Sequence, residues 1–120
     1  MEQPNPYKEN RPWGSFEQFT LNEPTTVKLI HVNPHEELSL QYHHHRDEMW
    51  RVISGNPLLT IGEHAVEAIA GSDHWIPRLT HHRIAAQDQP VLILEVAFGS
   101  FDENDNVRLS DRYGRLSPAK

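Results

Sequence analysis

The chain has 120 residues, with 11 Lys and Arg against 17 Asp and Glu, a net charge of −6 at pH 7, and no cysteine. A chain of this length predicts one small domain with a single site, and its negative charge disfavours nucleic acid and anionic lipid as partners. Without cysteine, any metal must be bound by nitrogen and oxygen ligands. The longest apolar stretch, Val91 to Val96, is too short to span a membrane, and no apolar signal region follows Met1, so we expect a cytoplasmic protein.

Short strands are predicted along most of the chain. Residues 1–10 carry two prolines and few apolar side chains, and we expect this end and residues 116–120 to be loosely structured. Runs of β-branched and aromatic residues predict strands at 26–32, 38–43 and 50–53. Turn residues recur between them at intervals too short for a βαβ crossover. The only helical candidate, 65–70, is short and uncapped, so the prediction is a single all-β domain over 1–120, with about eight strands in a jelly roll.

Histidine is the unusual feature of the composition, with nine residues, three of them consecutive. In a strand, residues two apart lie on one face about 6.5 Å from each other, so Gln41, His43 and His45 would point to the same side. Glu48 follows where a bend would return its carboxylate to that face, and His82 would join them if its strand runs alongside. Gln41, His43, Glu48 and His82 would form an open site for a divalent first-row metal used as a Lewis acid. The alternative is that the triplet is a solvated face.

A longer motif surrounds these residues. LSLQYHHHR at 38–46, followed by Glu48 and Trp50, resembles the LSLQ-x-HHHR-x-E-x-W stretch of the type II mannose-6-phosphate isomerases, which are cupins. The resemblance extends from RPWG at 11–14 to YGR at 113–115. In that family the domain is often the C-terminal part of a bifunctional chain that also carries a sugar-nucleotide pyrophosphorylase (mannose-1-phosphate guanylyltransferase), and from length we expect it to stand alone here.

The resemblance implies a cupin double-stranded β-helix, a jelly-roll barrel, with one divalent ion held by Gln41, His43, Glu48 and His82. It also implies interconversion of mannose 6-phosphate and fructose 6-phosphate. We expect zinc, with Mn, Fe, Co or Ni as alternatives. The chain departs from the family pattern where Leu79 replaces a Gly, where Ala85-Ala86 replaces Glu-Asn, and where Ala97 replaces Gln. The last two departures remove polar groups that would contact substrate hydroxyls or make structural hydrogen bonds.

Substrate and proton transfer each suggest further residues. Eight of the eleven basic residues are Arg, whose planar fork binds phosphate oxygens bidentately. Four of these lie in matched motifs and are predicted to contact the phosphorylated sugar: Arg11, Arg83, Arg108 and Arg115. For each of them a surface ion pair is the alternative. Isomerisation moves a proton between C1 and C2 and needs a base that is not a metal ligand, for which His45 and Glu95 are the candidates.

Other functions remain open at this point. The domain would also fit a non-catalytic cupin that binds a sugar or nucleotide-sugar, an isomerase of another phosphorylated sugar, or a metal oxygenase, since fold alone does not fix function. The acidic segment 102–106 lacks the Gly and the closing Glu of a calcium loop and is interpreted as a solvated turn. Because jelly rolls leave sheet edges to be covered or paired, we expect a homodimer.

Overall fold

The computed structural model describes residues 1–116, and within them the regular structure is all strand. The eleven strands, in chain order, are β1 (Tyr7–Arg11), β2 (Gly14–Gln18), β3 (Thr25–Val32), β4 (Leu40–Tyr42), β5 (Arg46–Ser54), β6 (Leu58–Ile61), β7 (His64–Glu67), β8 (Asp73–Ile76), β9 (His82–Ala85), β10 (Val91–Gly99) and β11 (Val107–Ser110). None of residues 1–116 belongs to a helix that could cross a membrane.

Two antiparallel sheets form the body of the domain. One has the order β3-β10-β5-β8 and the other the order β11-β4-β9-β6-β7, while β1 and β2 form a separate hairpin. Strands adjacent in space are mostly distant in sequence, as when β10 pairs with both β3 and β5. Such crossing connections between two sheets are typical of a jelly roll.

Alternation along β10 explains how one strand serves two apolar clusters. Ile93 points between the two sheets and joins a core with Trp50, Val52 and residues from both sheets. Val96 and Phe98 point to the other side, where they pack with Met49 and are partly covered by Phe19 and Trp75. A strand buried on both faces must be apolar at nearly every position, which accounts for the run from Val91 to Val96, where Glu95 is the one polar residue.

The predicted strands are confirmed with shifted ends. The run predicted at 26–32 is β3, the run at 50–53 lies inside the longer β5, and the run at 38–43 is shorter because β4 ends at Tyr42. Residues 7–11 form β1, contrary to the loose structure expected up to residue 10. The helical candidate 65–70 is wrong, since its first part belongs to β7. Of the loose end expected at 116–120, residues 117–120 lie outside the described residues.

Candidate metal centre

Three side chains meet between the sheets: His43 just after β4, Glu48 in β5, and His82 at the start of β9. All three are buried, with at most 4% of each residue exposed. The Nε2 atoms of the two histidines are 3.1 Å apart. Glu48 Oε1 lies 3.4 Å from His43 Nε2 and 3.3 Å from His82 Nε2.

These separations fit a shared metal ion. Ligand atoms about 2.0–2.2 Å from a tetrahedral or octahedral ion lie about 3.0–3.5 Å from one another. Glu48 Oε1 is buried and accepts no hydrogen bond of acceptable geometry. A buried carboxylate oxygen without a donor is costly unless a cation occupies the position it faces. The group formed by His43, Glu48 and His82 can therefore hold a metal.

Backbone contacts set the tautomer of both imidazoles. His43 Nδ1 lies 2.7 Å from the carbonyl oxygen of Asp105, and His82 Nδ1 lies 2.9 Å from that of Thr80. A carbonyl can only accept, so each Nδ1 carries the proton and donates it. In the neutral rings both Nε2 lone pairs then face each other and the Glu48 carboxylate. Such second hydrogen bonds are typical of metal-ligating histidines.

Electrostatics keep the carboxylate of Glu48 charged. Burial alone would raise the pKa of Glu48, but hydrogen bonds and positive charge from His43 and His82, which act when their Nε2 atoms carry protons, lower that pKa well below the usual value. A bound cation would take the place of those protons. An ionised carboxylate and two neutral imidazoles form a donor set suited to a divalent first-row ion.

Gln41 adds a fourth group on the same side. In the pairing of β4 with β9, Gln41 lies directly opposite His82. Directly paired residues of antiparallel strands project to one face, and Gln41 lines the same cavity as the three ionisable groups. The sequence analysis required the strand that carries His82 to run beside the strand that carries Gln41, and this pairing is confirmed.

Arg46 is a component of the site to which the sequence analysis gave no role. Its Nη2 group lies 3.2 Å from His43 Nε2, its Nε lies 3.4 Å from Glu48 Oε2, and its Nη1 donates to the carbonyl of Asp102. The guanidinium is buried and stacks on the ring of Phe101. An ion bound to His43 Nε2 would have to displace the Arg46 N–H from that atom.

Glu95 is a second buried carboxyl group beside the first. It lies across the strand pair from Trp50, whose Nε1 donates to Glu95 Oε2 at 3.1 Å. Burial, together with the negative charge of Glu48, raises the pKa of Glu95 to about 8. Two neighbouring carboxyl groups with pKa values driven apart are a common arrangement for acid–base chemistry.

The site opens into a cavity of about 210 Å³ that also contains cationic side chains. Arg108 and Arg115 line it, together with Lys28, which donates to Glu103 at 2.7 Å. Arg115 makes two hydrogen bonds to the Asp111 carboxylate. The cavity is therefore lined by carboxylates and imidazoles together with several cationic side chains.

Two of the four predicted substrate arginines lie elsewhere. Arg11, at the end of β1, pairs with Glu9 in the separate hairpin. Arg83 follows His82 in β9 and so points to the opposite face, where its guanidinium donates to the carbonyls of Leu38 and Ser110. Neither is among the residues that line the cavity, so the structure of residues 1–116 does not bring them to the site.

His45 also lies away from the predicted face. Because β4 ends at Tyr42, strand alternation does not extend to His45, which is exposed and does not line the cavity. The backbone N–H groups of His44 and His45 instead donate to the Asp105 carboxylate at 2.9 Å each. The segment 102–106 is thus not merely a solvated turn, because Asp105 anchors the histidine triplet. In the sequence, Asp105 was marked by its place in an acidic segment and by lying within the family resemblance, and neither signal reveals its contacts.

The departures from the family pattern also have places in the structure. Ala86 packs in the core between the sheets, and Ala85 lies in β9 outside the cavity lining. Ala97 is buried and lies directly opposite Glu48 in the β10–β5 pair. Leu79 has a φ of +67°, the left-handed backbone region that favours glycine.

The two-sheet topology with a buried His/Glu group between the sheets defines the class as a cupin, a double-stranded β-helix. A solved structure from Klebsiella pneumoniae, described as an uncharacterized conserved protein with a double-stranded β-helix domain, superposes with a TM-score of 0.64 at 16% identity, covering 92% of this chain and 90% of that one. At this identity the likeness shows the fold alone.

Sequence comparison identifies the family within that class. The family model described as "Mannose-6-phosphate isomerase C-terminal" matches residues 2–111, and the chain belongs to this family. The xanthan biosynthesis protein XanB of Xanthomonas campestris is 39% identical over 107 residues, and the mannose-1-phosphate guanylyltransferase ManC of Salmonella typhimurium is 38% identical over 108 residues. Each alignment covers 88% of this chain but only 23% and 22% of the respective relative. The chain thus spans less than a quarter of their length.

Proposed function

We propose that this domain is a metal-dependent aldose–ketose isomerase acting on a sugar phosphate, with mannose 6-phosphate and fructose 6-phosphate as the substrate pair. The observation that carries the proposal is the convergence of His43, Glu48 and His82 beside the buried carboxyl group of Glu95 in the lining of one cavity. Membership of the mannose-6-phosphate isomerase family supports the choice of sugar.

Each residue has a part in this mechanism. His43, Glu48, His82 and Gln41 would hold the ion, which when bound supplies a positive centre for the oxyanion that develops at O1 or O2. Glu95 would carry the proton between C1 and C2, since a carboxyl group with a pKa near 8 accepts and returns protons at near-neutral pH. It replaces His45 as the candidate base because it lines the cavity and His45 does not.

The phosphate would be bound by Arg108 and Arg115. Both line the cavity, and the two hydrogen bonds to Asp111 orient the Arg115 guanidinium. Arginine pairs strongly with phosphate oxygens. Arg11 and Arg83 have no part in this proposal, since the cavity does not include them.

Three further expectations form part of the proposal. Zinc is the proposed ion, because a carboxylate with two imidazoles is a common zinc donor set. A homodimer is supported by the edge strand β3, on which the apolar side chains of Val27 and Leu29 are 57% and 59% exposed. We also propose a cytoplasmic location, consistent with a phosphorylated substrate.

The direct test is turnover of a panel of phosphorylated sugars by the metal-loaded protein. We expect conversion of mannose 6-phosphate to fructose 6-phosphate, and loss of that activity in Glu95→Gln without loss of bound metal. Arg115→Met should raise KM about 10- to 100-fold, the value of a lost charged hydrogen bond. Arg112→Met is the matched control, since Arg112 contacts Glu36, Glu37 and the carbonyl of His35 instead.

The outcomes separate the alternatives. Binding of sugar phosphates without turnover by metal-loaded protein would contradict an isomerase and favour a non-catalytic binding domain. Turnover of a pentose or heptose phosphate but not of mannose 6-phosphate would contradict only the proposed sugar.

A further inference from the structure

Asp105 lies in the loop between β10 and β11 and contacts the histidine triplet at 43–45, about sixty residues earlier in the chain. Its two carboxylate oxygens accept the backbone N–H groups of His44 and His45, each at 2.9 Å. One oxygen also lies 3.2 Å from His44 Nδ1. Its own carbonyl oxygen accepts the Nδ1–H of His43 at 2.7 Å. One residue thus contacts all three members of the histidine triplet.

We propose that Asp105 is a positioning residue that presents His43 to the metal. Its carbonyl fixes the tautomer and the orientation of the His43 ring. Its carboxylate holds the backbone of His44 and His45, the residues that follow His43, and so keeps the His43 ring against that carbonyl. This inference rests on the proposed metal centre and goes beyond it, because Asp105 contacts His43 at Nδ1 and not at Nε2, the atom that faces Glu48 and His82.

The loop needs such an anchor because the triplet is not part of a strand. β4 ends at Tyr42 and β5 begins at Arg46, so the N–H groups of His44 and His45 have no ladder partner. The Asp105 side chain is only 8% exposed. The two N–H groups therefore find their acceptors in the two oxygens of this carboxylate.

Asn is the informative replacement. Asp105→Asn keeps the size of the side chain, but it offers one acceptor oxygen and turns an NH₂ group toward one of the two backbone N–H groups. One N–H then loses its acceptor, the loop shifts, and the His43 ring loses its fixed orientation. Groups that orient metal-ligating histidines typically contribute about 10- to 100-fold to metal affinity.

A neighbouring Asp provides a matched control. Asp102 lies in the same loop, and its Oδ1 caps the backbone N–H of Asn104 at 2.9 Å. Asp102→Asn therefore changes the same functional group in the same segment, yet its side chain does not contact the histidine triplet in the described structure.

The test is a Co²⁺ titration followed by the visible d–d absorption, with urea unfolding in EDTA to measure the metal-free fold. We expect wild type and Asp102→Asn to bind one Co²⁺ with similar affinity, and Asp105→Asn to bind about 10- to 100-fold more weakly with a changed absorption band. Affinity in Asp105→Asn within twofold of wild type, or an equal loss in both variants, would overturn the positioning role. Failure of the wild type to bind Co²⁺ at all would overturn the metal centre as well.

A measurement without metal covers the case in which Asp105→Asn folds poorly. In ¹⁵N-labelled wild-type protein in EDTA, the imidazole spectrum should show His43 as the Nδ1–H tautomer with a downfield, hydrogen-bonded proton, assigned by its absence in His43→Gln. An Nε2–H tautomer for His43 would refute the proposal.

Discussion

The protonation of Glu95 can be tested through stability. Glu95 is buried, its pKa is raised to about 8 from 4.5, and the main cause is burial, followed by the charge of Glu48. Glu95→Gln keeps the size of the side chain and an oxygen that can accept from Trp50 Nε1, but it removes the titration. The difference in the free energy of unfolding between this variant and wild type, measured against pH, therefore isolates Glu95.

The sign follows from which state binds the proton more tightly. The folded state has the higher pKa, so it holds the proton more tightly than the unfolded state, and wild-type stability falls as pH rises from about 4.5 to about 8. Each pH unit in this range costs about 1.4 kcal/mol. Between pH 5.5 and pH 8, wild type should lose about 3 kcal/mol relative to Glu95→Gln.

The assay is urea unfolding followed by tryptophan fluorescence, with EDTA present so that no metal contributes. The control is Glu63→Gln, which changes an exposed carboxylate in the turn between β6 and β7. This control shows what removal of an exposed carboxyl group does under the same conditions. If the Glu95→Gln difference stays constant between pH 5.5 and pH 8 to within about 0.5 kcal/mol, the reasoning that Glu95 is held protonated by burial is refuted.

Two backbone predictions concern the loops beside the site. Leu79→Gly should raise Tm by about 2–4 °C in thermal unfolding, because relief of the +67° φ outweighs the entropy cost of glycine by about 0.5–1 kcal/mol; a fall in Tm would contradict this. Gly99→Ala should cost more than about 2 kcal/mol in urea unfolding, since its Cβ would lie 2.6 Å from the carbonyl oxygen of His45 at a φ of +112°. Gly71→Ala, at +89° with nothing within 4 Å, is the control and should cost less; equal losses would show that the contact with His45 does not matter.

The fold could be predicted because its signals are local. Short β-rich runs separated by turn residues indicated an all-β domain, and the strand β10, buried on both faces, corresponds to the stretch from Val91 to Val96, which is apolar except at Glu95. Strand ends were less predictable. Residues 7–10 have few apolar side chains, yet they form a strand because their backbones pair with β2 in a hairpin. Backbone pairing, and not burial of side chains, holds this strand in place.

The convergence of His43, Glu48 and His82 could be predicted from their chemistry and spacing, but their surroundings could not. The pairing of Gln41 with His82 confirms the long-range condition that the ligand set required. Extending strand alternation to His45 was wrong, because contacts with Asp105 replace the ladder after Tyr42. Arg46 and Asp105 act through tertiary contacts, for which a single sequence carries no periodic signal. Of the four arginines predicted to contact substrate, two line the cavity and two do not, and only the fold determines which residues of a motif face the cavity.

The most direct test of the account is the stoichiometry of divalent metal in wild type and in His82→Ala, measured by elemental analysis and by zinc titration after EDTA treatment. The account predicts one ion per chain in wild type, no specific binding in His82→Ala, and unchanged binding in His81→Ala, which removes an exposed imidazole one residue away. Equal zinc binding by His82→Ala and wild type would contradict the assignment of the buried His/Glu group as a metal centre.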